Sequence, residues 1–188
     1  MTQPSSMNRF KYFIKGVKDF KTKGTIAPTS KYTSKRMLRN IDFSKADLLV
    51  ELGAGDGSIT RRILEQMHPN AKLYSFEIDP KFCEFLAKID DPRLHIINDS
   101  AEFLTDYLKK WGVEKVDSFV SGIPFVMLPD ALGDNILQQA KDALHEDGRF
   151  VQFHYSTIPK KRYKRIFDAI EIKLEVRNLP PAFVFICR

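Results

Sequence analysis

Short apolar runs alternate along most of the chain with longer stretches whose apolar residues recur at helical spacing. The short runs predict buried strands, and the longer stretches predict amphipathic helices. The predicted strands lie at 47–52, 72–77, 93–97, 115–121 and 149–155, and the predicted helices between them at 58–67, 80–89, 101–111 and 130–145. This alternation indicates a parallel, doubly wound sheet that binds ligands at the carboxyl ends of its strands.

The pattern changes after Pro159. A short predicted helix leads to two closely spaced strands, at about 171–177 and 182–187, with Leu179, Pro180 and Pro181 between them. So short a connection favours an antiparallel hairpin at the end of the sheet. The fold class expected is therefore α/β and Rossmann-like, with a seven-stranded, mostly parallel sheet and an antiparallel terminal hairpin.

The first 40 residues are strongly basic, with ten Lys or Arg and one acid, against 20 basic and 23 acidic residues in the remainder. Apolar residues recur at helical spacing from Met7 to Phe20, and Ser30 can cap a second helix as far as about Asn40. A basic amphipathic helix suits an anionic membrane surface. Packing on the domain and contact with nucleic acid are the alternatives. We divide the chain into N-terminal amphipathic helices at 1–40, expected to contact membrane and cover the ligand site, and a domain at 41–188.

Composition mainly excludes certain kinds of protein and site. The chain is 43% hydrophobic and 29% charged, as is usual for a globular domain, and the pattern contains neither a membrane span nor a signal peptide. We therefore expect it in the cytoplasm. Cys83 and Cys187 lie far apart, and the four histidines show no ligand spacing, so we expect no metal site.

A glycine-rich turn and an acid carry the first chemical signal. The segment VELGAGDGS, 50–58, follows the first predicted strand, and Glu77 ends the second. A strand, a glycine turn, a helix and a strand that ends in a carboxylate form an adenosine-binding half-site. The spacing is G-x-G-x-G, whereas a pyrophosphate requires G-x-G-x-x-G, and Glu51 and Asp56 add negative charge. These carboxylates favour a cationic ligand.

Two further strand ends belong to the same predicted site. Asn98 and Asp99 follow the third strand, where a side chain can bond the adenine amino group; the alternative is that they only begin the next helix. The sequence SGIPF, 121–125, follows the fourth strand, where we expect the reaction. Pro124 keeps the preceding backbone extended, so that carbonyls face the pocket.

These segments resemble known methyltransferases. VELGAGDG is similar to motif I of the class I S-adenosylmethionine (SAM) methyltransferases. SGIPF resembles both the N-I-P-Y loop of ribosomal RNA adenine dimethyltransferases and the S-x-L-P loop of bacterial phospholipid N-methyltransferases. The adenine enzymes have Asn or Asp where this chain has Ser121. GTIAPTS at 24–30, VQFHYS at 151–156 and NLPPAFVF at 178–185 look like the small phospholipid enzymes.

The resemblance implies stepwise methylation of phosphatidylethanolamine to phosphatidylcholine, with SAM as methyl donor and S-adenosylhomocysteine (SAH) as product. It implies an anionic membrane surface and a phospholipid as partners, peripheral attachment to the inner face of the cytoplasmic membrane, and a monomeric chain that does not bind nucleic acid. The implied cofactor contacts are Glu51, Gly53, Ala54, Gly55, Gly57, Glu77, Ile78, Asn98, Asp99, Ser100 and Ser121.

Amine methylation requires a neutral amine, because a protonated amine has no lone pair for attack. The candidate catalytic residues are Tyr32, Ser121, His154 and Tyr155. The candidate substrate contacts are Tyr32, Gly122, Ile123, Pro124, Phe125, Tyr155, Lys160 and Arg177. RNA adenine N6-methylation, ornithine-lipid N-methylation and ligand binding without turnover are the alternatives that stay open.

Overall fold

A computed structural model describes residues 29–188 of the chain. The helices, numbered in chain order, are α1 Lys31–Leu38, α2 Ser58–Leu64, α3 Pro80–Leu86, α4 Leu104–Trp111, α5 Asp130–Ala143 and α6 Lys160–Ile166. The strands are β1 Leu48–Leu52, β2 Lys72–Phe76, β3 Leu94–Ile97, β4 Val116–Ser121, β5 Leu144–His154, β6 Ile170–Glu175 and β7 Ala182–Cys187. The amphipathic helix expected between Met7 and Phe20 lies outside the described residues.

All seven strands form one sheet in the order β3-β2-β1-β4-β5-β7-β6. Strands β1 to β5 pair in parallel, whereas β7 pairs antiparallel with both β5 and β6. The predicted fold class, including the terminal hairpin, is confirmed. The chain moves outward from β1 to β3 and then returns to β4 on the other side of β1. This reversal places a ligand crevice above the carboxyl ends of β1 and β4.

The two faces of the sheet bury different side chains of the same strands. On one face, Val50 and Phe119 pack with residues of α4, α5 and α6. On the other, Leu49 and Val120 pack with Met37 of α1 and with residues of α2. Because neighbouring residues of a strand point to opposite faces, each strand contributes to both cores. Helix α1 is therefore packed on the sheet, beside the strands that end at the crevice.

Several predicted boundaries differ from the structure. The helices predicted at 58–67 and 80–89 end at Leu64 and Leu86, and the helix capped by Ser100 begins with a 3₁₀ turn, Ala101–Phe103. Strand β5 begins at 144, where the sequence predicted the end of a helix. Its pairing with β4 is irregular between Val116 and Ser118, because four residues of β5 bulge out there. Gly148 ends the bulge, and a Cβ at this position would lie 2.6 Å from the Asp117 carbonyl oxygen.

Within the described part of the chain, no helix is both long and apolar enough to cross a bilayer.

Candidate functional site

The turn after β1 is shaped by three glycines with left-handed backbone angles: Gly53 at φ 75°, Gly55 at φ 57° and Gly57 at φ 77°. A Cβ at Gly53 would lie 3.0 Å from the Ile123 side chain, and one at Gly57 would lie 3.0 Å from the Leu86 side chain. A Cβ at Gly55 would have no heavy atom within 4 Å. Two glycines therefore permit close packing, while Gly55 borders an open space that a ligand can enter. Ala54, between them, is buried.

Glu77 is fixed at the end of β2 by two backbone groups. Its Oε2 accepts a hydrogen bond from the Gly55 N–H at 2.7 Å, and its Oε1 accepts one from the Asp79 N–H at 2.9 Å. Each carboxylate oxygen has a further lone pair, so both oxygens remain able to accept a ribose hydroxyl. The same contact holds the glycine turn against β2. Ile78 follows Glu77 and is half-buried.

Glu51 lies beneath the turn with 1% of its surface exposed. Its Oε2 accepts hydrogen bonds from the hydroxyls of Thr60 and Ser75, both at 2.7 Å. Its Oε1 has no hydrogen-bond partner among the described residues. Burial raises the pKa of the Glu51 carboxyl from 4.5 to about 7, and the nearby Glu77 and Asp56 carboxylates act in the same direction. A buried acceptor without a partner is uncommon, and a bound cation would satisfy both its charge and its lone pairs.

SAM matches these two acids because it carries a ribose diol at one end and an ammonium group with a sulfonium at the other. Glu77 would hold the ribose, and Glu51 would face the ammonium. These two acids therefore fit the cofactor that the sequence predicts.

The third strand end is also held by local hydrogen bonds. The Asn98 side-chain amide donates to the Glu77 carbonyl at 2.9 Å. The Asp99 carboxylate accepts from the Ser100 N–H at 2.7 Å and from the Tyr107 hydroxyl at 2.9 Å, and the Ser100 hydroxyl caps the 3₁₀ turn. Asp99 is thus part of the helix start and is half-buried at the same edge as Glu77. Sequence reasoning missed Tyr107, which lies eight residues along the chain.

The SGIPF loop touches the glycine turn directly. The Gly122 N–H donates to the Leu52 carbonyl at 2.8 Å, and a Cβ at Gly122 would lie 2.8 Å from the Gly53 carbonyl oxygen. Ser121 is fully buried, and its hydroxyl accepts from the Ile123 N–H at 3.2 Å. Pro124 and Ile123 are half-buried at the rim. The structure therefore brings together the turn and the loop that the sequence assigned to one site.

Phe125 is a correction to the sequence prediction. We expected its ring to contact the substrate, but it has no exposed surface and packs edge-on against Tyr163, with 6.2 Å between ring centroids. Its role in the structure is to anchor the loop in the core. The Phe125 carbonyl accepts from the Arg162 guanidinium at 2.9 Å, and Arg162 also forms ion pairs with Asp130 and Asp134. Nothing in the sequence pattern indicates this clamp from α6.

His154 is also buried in the core, although we expected it among the catalytic residues. It is 5% exposed, and its Nε2 lies 3.0 Å from the Tyr163 hydroxyl. Burial, with a smaller contribution from Arg162, lowers the pKa of His154 to about 3. So weak a base does not take a proton from an ammonium near neutral pH. The structure therefore favours a structural role for this imidazole.

The remaining predicted contacts lie where α1 meets the turn between β6 and β7. The Arg177 guanidinium lies over the Tyr32 ring, 4.7 Å from its centroid, and also pairs with the buried Glu175. Hydrogen bonds from Arg177 lower the pKa of Glu175 to about 2. Tyr155 is partly exposed nearby, and burial raises the pKa of its phenol while a hydrogen bond with Asn178 lowers it. Lys160 is exposed at the start of α6.

Asn178 joins these parts. It is buried, and its Oδ1 accepts from the Thr33 hydroxyl at 2.9 Å. The predicted contacts Tyr32, Tyr155 and Arg177 therefore form one cluster around Asn178, at the carboxyl end of β5. Between residues 29 and 188, no three His, Cys, Asp or Glu side chains are grouped as metal ligands would be.

The comparisons with known proteins agree with this geometry. The family model described as ribosomal RNA adenine dimethylase matches residues 28–168. The ornithine lipid N-methyltransferase of Singulisphaera acidiphila is 33% identical over 167 residues, which cover 87% of this chain and 87% of that protein.

Two solved structures show the same fold. Precorrin-6y C5,15-methyltransferase from Geobacter metallireducens GS-15 aligns with a TM-score of 0.68 at 14% identity, over 86% of this chain and 89% of that one. Human methyltransferase-like protein 13 in complex with SAH aligns with a TM-score of 0.66 at 15% identity, over 85% of this chain and 82% of that one. At these identities the likeness concerns the fold alone.

The open space at Gly55 leads to a first prediction, with Gly112 as a matched control. Both have left-handed backbone angles and no heavy atom within 4 Å of an added Cβ, but Gly112 ends α4. Gly55→Ala and Gly112→Ala should each cost about 1 kcal/mol of unfolding free energy through backbone strain. Only Gly55→Ala should weaken SAH binding, by about tenfold or more, because its methyl enters the ligand space. Equal SAH affinities in calorimetry would show that the cofactor does not lie over Gly55.

The buried Glu51 leads to a second prediction. Because its pKa is raised in the folded state, the contribution of Glu51 to the stability of the unliganded protein should fall as pH rises from about 4.5 to about 7. The lowered pKa of His154 has the opposite effect below 6.5 and offsets it, so the loss from Glu51 is measured as the difference in stability between wild type and Glu51→Gln. Glu51→Gln should remove the first effect, on the order of 3 kcal/mol at most by pH 8. In the wild type, SAH affinity should rise between pH 5 and pH 7, because Glu51 becomes ionised over this range. Glu51→Gln should weaken SAH binding and abolish this rise.

The control for charge is Asp56→Asn, because Asp56 is an exposed carboxylate in the same turn. It should keep the pH dependence of SAH affinity. A wild-type affinity that does not change over this range would contradict the assignment of Glu51 to the ligand's ammonium group.

The glycine turn and the two acids fit a SAM site. The family model matches most of the chain, and the Singulisphaera acidiphila relative covers 87% of it. The chain belongs to the ribosomal RNA adenine dimethylase family of SAM-dependent methyltransferases.

Proposed function

We propose that this methyltransferase acts on the amine of a membrane lipid with an ornithine headgroup. The observation that carries the proposal is the relative named as an ornithine lipid N-methyltransferase, which matches this chain over 87% of both lengths. The sequence resemblance favoured phosphatidylethanolamine, with ornithine lipid as an alternative. The relative supports the alternative better, so phosphatidylethanolamine becomes the comparison substrate in the test below.

The chemistry of the cluster around Asn178 supports a small headgroup. An ornithine headgroup offers an amine and a carboxylate. The Arg177 guanidinium can bind the carboxylate, and its position over Tyr32 marks an aromatic face that already accepts a cation. The partly exposed Tyr155 adds a second aromatic ring beside it. A methylated ammonium product would be favoured by the Tyr155 ring, since Arg177 already covers the Tyr32 face.

The SGIPF loop can orient the amine. SAM supplies an electrophilic methyl group when it is bound, and the chain must hold the amine nitrogen in line with it. The Gly122 carbonyl lies beside the glycine turn, where it can accept a hydrogen bond from the amine. Ser121, which we expected among the catalytic residues, has no exposed surface, so its hydroxyl supports the loop through the Ile123 N–H. The amine must first lose its proton. Since His154 is a weak base inside the core, we assign that proton to water at the open edge of the site.

RNA adenine methylation is the second candidate, because the matching family model is described by that activity. The resemblance to adenine enzymes includes an Asn or Asp at the first loop position, where a side-chain carbonyl accepts the adenine amino hydrogen. In this chain the position holds Ser121, whose oxygen accepts the Ile123 N–H. This difference favours an aliphatic amine over adenine.

Substrate choice is tested directly with the full chain and labelled SAM. Ornithine lipid and phosphatidylethanolamine, each dispersed in the same detergent, and total RNA are offered in separate and mixed reactions. We expect the label in the ornithine headgroup, with a rate at least about tenfold above that for phosphatidylethanolamine. Faster labelling of phosphatidylethanolamine would overturn the headgroup assignment, and label in RNA would overturn the lipid assignment.

The assignment of the proton to water gives a further prediction. His154→Gln keeps a polar partner for the Tyr163 hydroxyl, so kcat/KM should fall by no more than about threefold, and the rate should still rise with pH as the amine loses its proton. Tyr155→Phe keeps the aromatic ring and should preserve the same pH profile. If either substitution abolished the rise of kcat/KM with pH, that side chain would be the proton acceptor.

A further inference from the structure

The most exposed large apolar side chains of the described residues are concentrated in three loops. They are Leu179 at 89% exposure, Ile158 at 82%, Val176 at 66% and Val126 at 57%. Single exposed apolar residues are ordinary on a protein surface, but a cluster marks an interaction site. Whether these four side chains form such a cluster depends on where their loops leave the sheet.

The sheet places the three loops at one edge. Val126 follows β4, Ile158 follows β5, and the turn with Val176 and Leu179 joins β6 to β7. Strands β4, β5 and β6 run in the same direction, and β7 runs in the opposite one, so all three loops leave the sheet at the edge that holds the glycine turn. His154 at the end of β5 pairs with Phe183 at the start of β7, which makes the last two loops neighbours.

The exposed side chains project from loops that are fixed by packing. Pro159, next to Ile158, is buried. Asn178, next to Leu179, accepts from Thr33 through its Oδ1 and donates from its side-chain amide to the Pro180 carbonyl. The backbone on either side of these apolar residues is therefore held in place. Their exposure is a property of the folded loops.

Basic side chains predominate around these loops, although Arg36, Arg162, Arg165 and Arg177 are paired with acids of neighbouring elements. The segments 29–40, 155–165 and 176–181 together contain ten Lys or Arg and no Asp or Glu. The start of α1, from the first segment, lies at this edge too, because Thr33 bonds to Asn178 in the turn between β6 and β7. Apolar tips among exposed lysines such as Lys160 and Lys161 are complementary to an anionic bilayer, which offers acidic headgroups above an apolar interior.

We propose that the tips Ile158 and Leu179 enter the surface of an anionic bilayer, so that the cluster of Tyr32, Tyr155 and Arg177 faces the lipid headgroups. This contact belongs to the folded domain and adds to any contact made by residues 1–28. It rests on the proposed lipid substrate, since it explains how a headgroup reaches the site without the lipid leaving the membrane. An exposed side chain of this size gains enough from burial to raise membrane affinity severalfold.

The test uses the full chain and sedimentation with vesicles of phosphatidylcholine in which one third of the lipid is phosphatidylglycerol. Ile158→Glu and Leu179→Glu should each weaken vesicle binding about tenfold, and the double variant more, because each places a carboxylate where an apolar group enters. Both positions are exposed, so folding should be unchanged by circular dichroism. Phe85→Glu, at an exposed apolar residue of α3, is the matched control and should bind within about twofold of wild type.

Two further measurements separate this inference from the proposed substrate. SAH affinity and methylation of detergent-dispersed ornithine lipid should be nearly unchanged in the Ile158 and Leu179 variants. Wild-type vesicle binding by these variants would overturn the membrane contact, even if the dispersed lipid is methylated. Weakened vesicle binding with no methylation of any lipid would leave the contact in place and reject the substrate. Wild-type vesicle binding with altered sedimentation in solution would assign the patch to a second copy of the chain.

Discussion

A carboxylate buried beneath the first glycine turn determines what this pocket can hold. Glu51 uses one oxygen to bond two hydroxyl groups and keeps the other without a partner among the described residues. With Glu77 close by, the turn is a negative environment that disfavours a pyrophosphate and favours a ligand with a cationic end. Burial of this charge in the unliganded protein is unfavourable, and a cationic ligand would relieve it. Cofactor identity therefore follows from electrostatics as much as from the shape of the turn.

The cofactor end and the acceptor end of the site are connected through backbone contacts. The close approach of Gly53 and Gly122 joins the turn after β1 to the loop after β4, so a shift of one must move the other. Arg162 and the buried Phe125 then tie that loop to α6 and the core. On the opposite side of β5, Asn178 ties the β6–β7 turn to α1. The acceptor amine would thus meet a site whose walls come from both ends of the described chain.

The alternation of apolar runs was sufficient to predict the sheet, its terminal hairpin and the edge at which the glycine turn and the SGIPF loop meet, because these depend on local periodicity and short connections. The glycine turn and Glu77 could be placed together for the same reason. Phe125 and His154 could not be placed, since an aromatic or imidazole side chain at a strand end can point either to the pocket or to the core. Tertiary packing against Tyr163 decides this, and Tyr163 lies on a helix whose position the pattern does not fix. The contact of Arg162 with the Phe125 carbonyl could not be predicted for the same reason, because Arg162 lies on the same helix.

The positions of Glu51 and Glu77 relative to the cofactor decide how the site works, and a crystal structure of the full chain with SAH measures both. We expect the ribose hydroxyls to bond the two oxygens of Glu77 and the amino group of SAH to approach the unpartnered oxygen of Glu51, with the adenine beside Asp99. SAH bound elsewhere, or bound over the turn with the Glu51 oxygen still without a partner, would contradict the account.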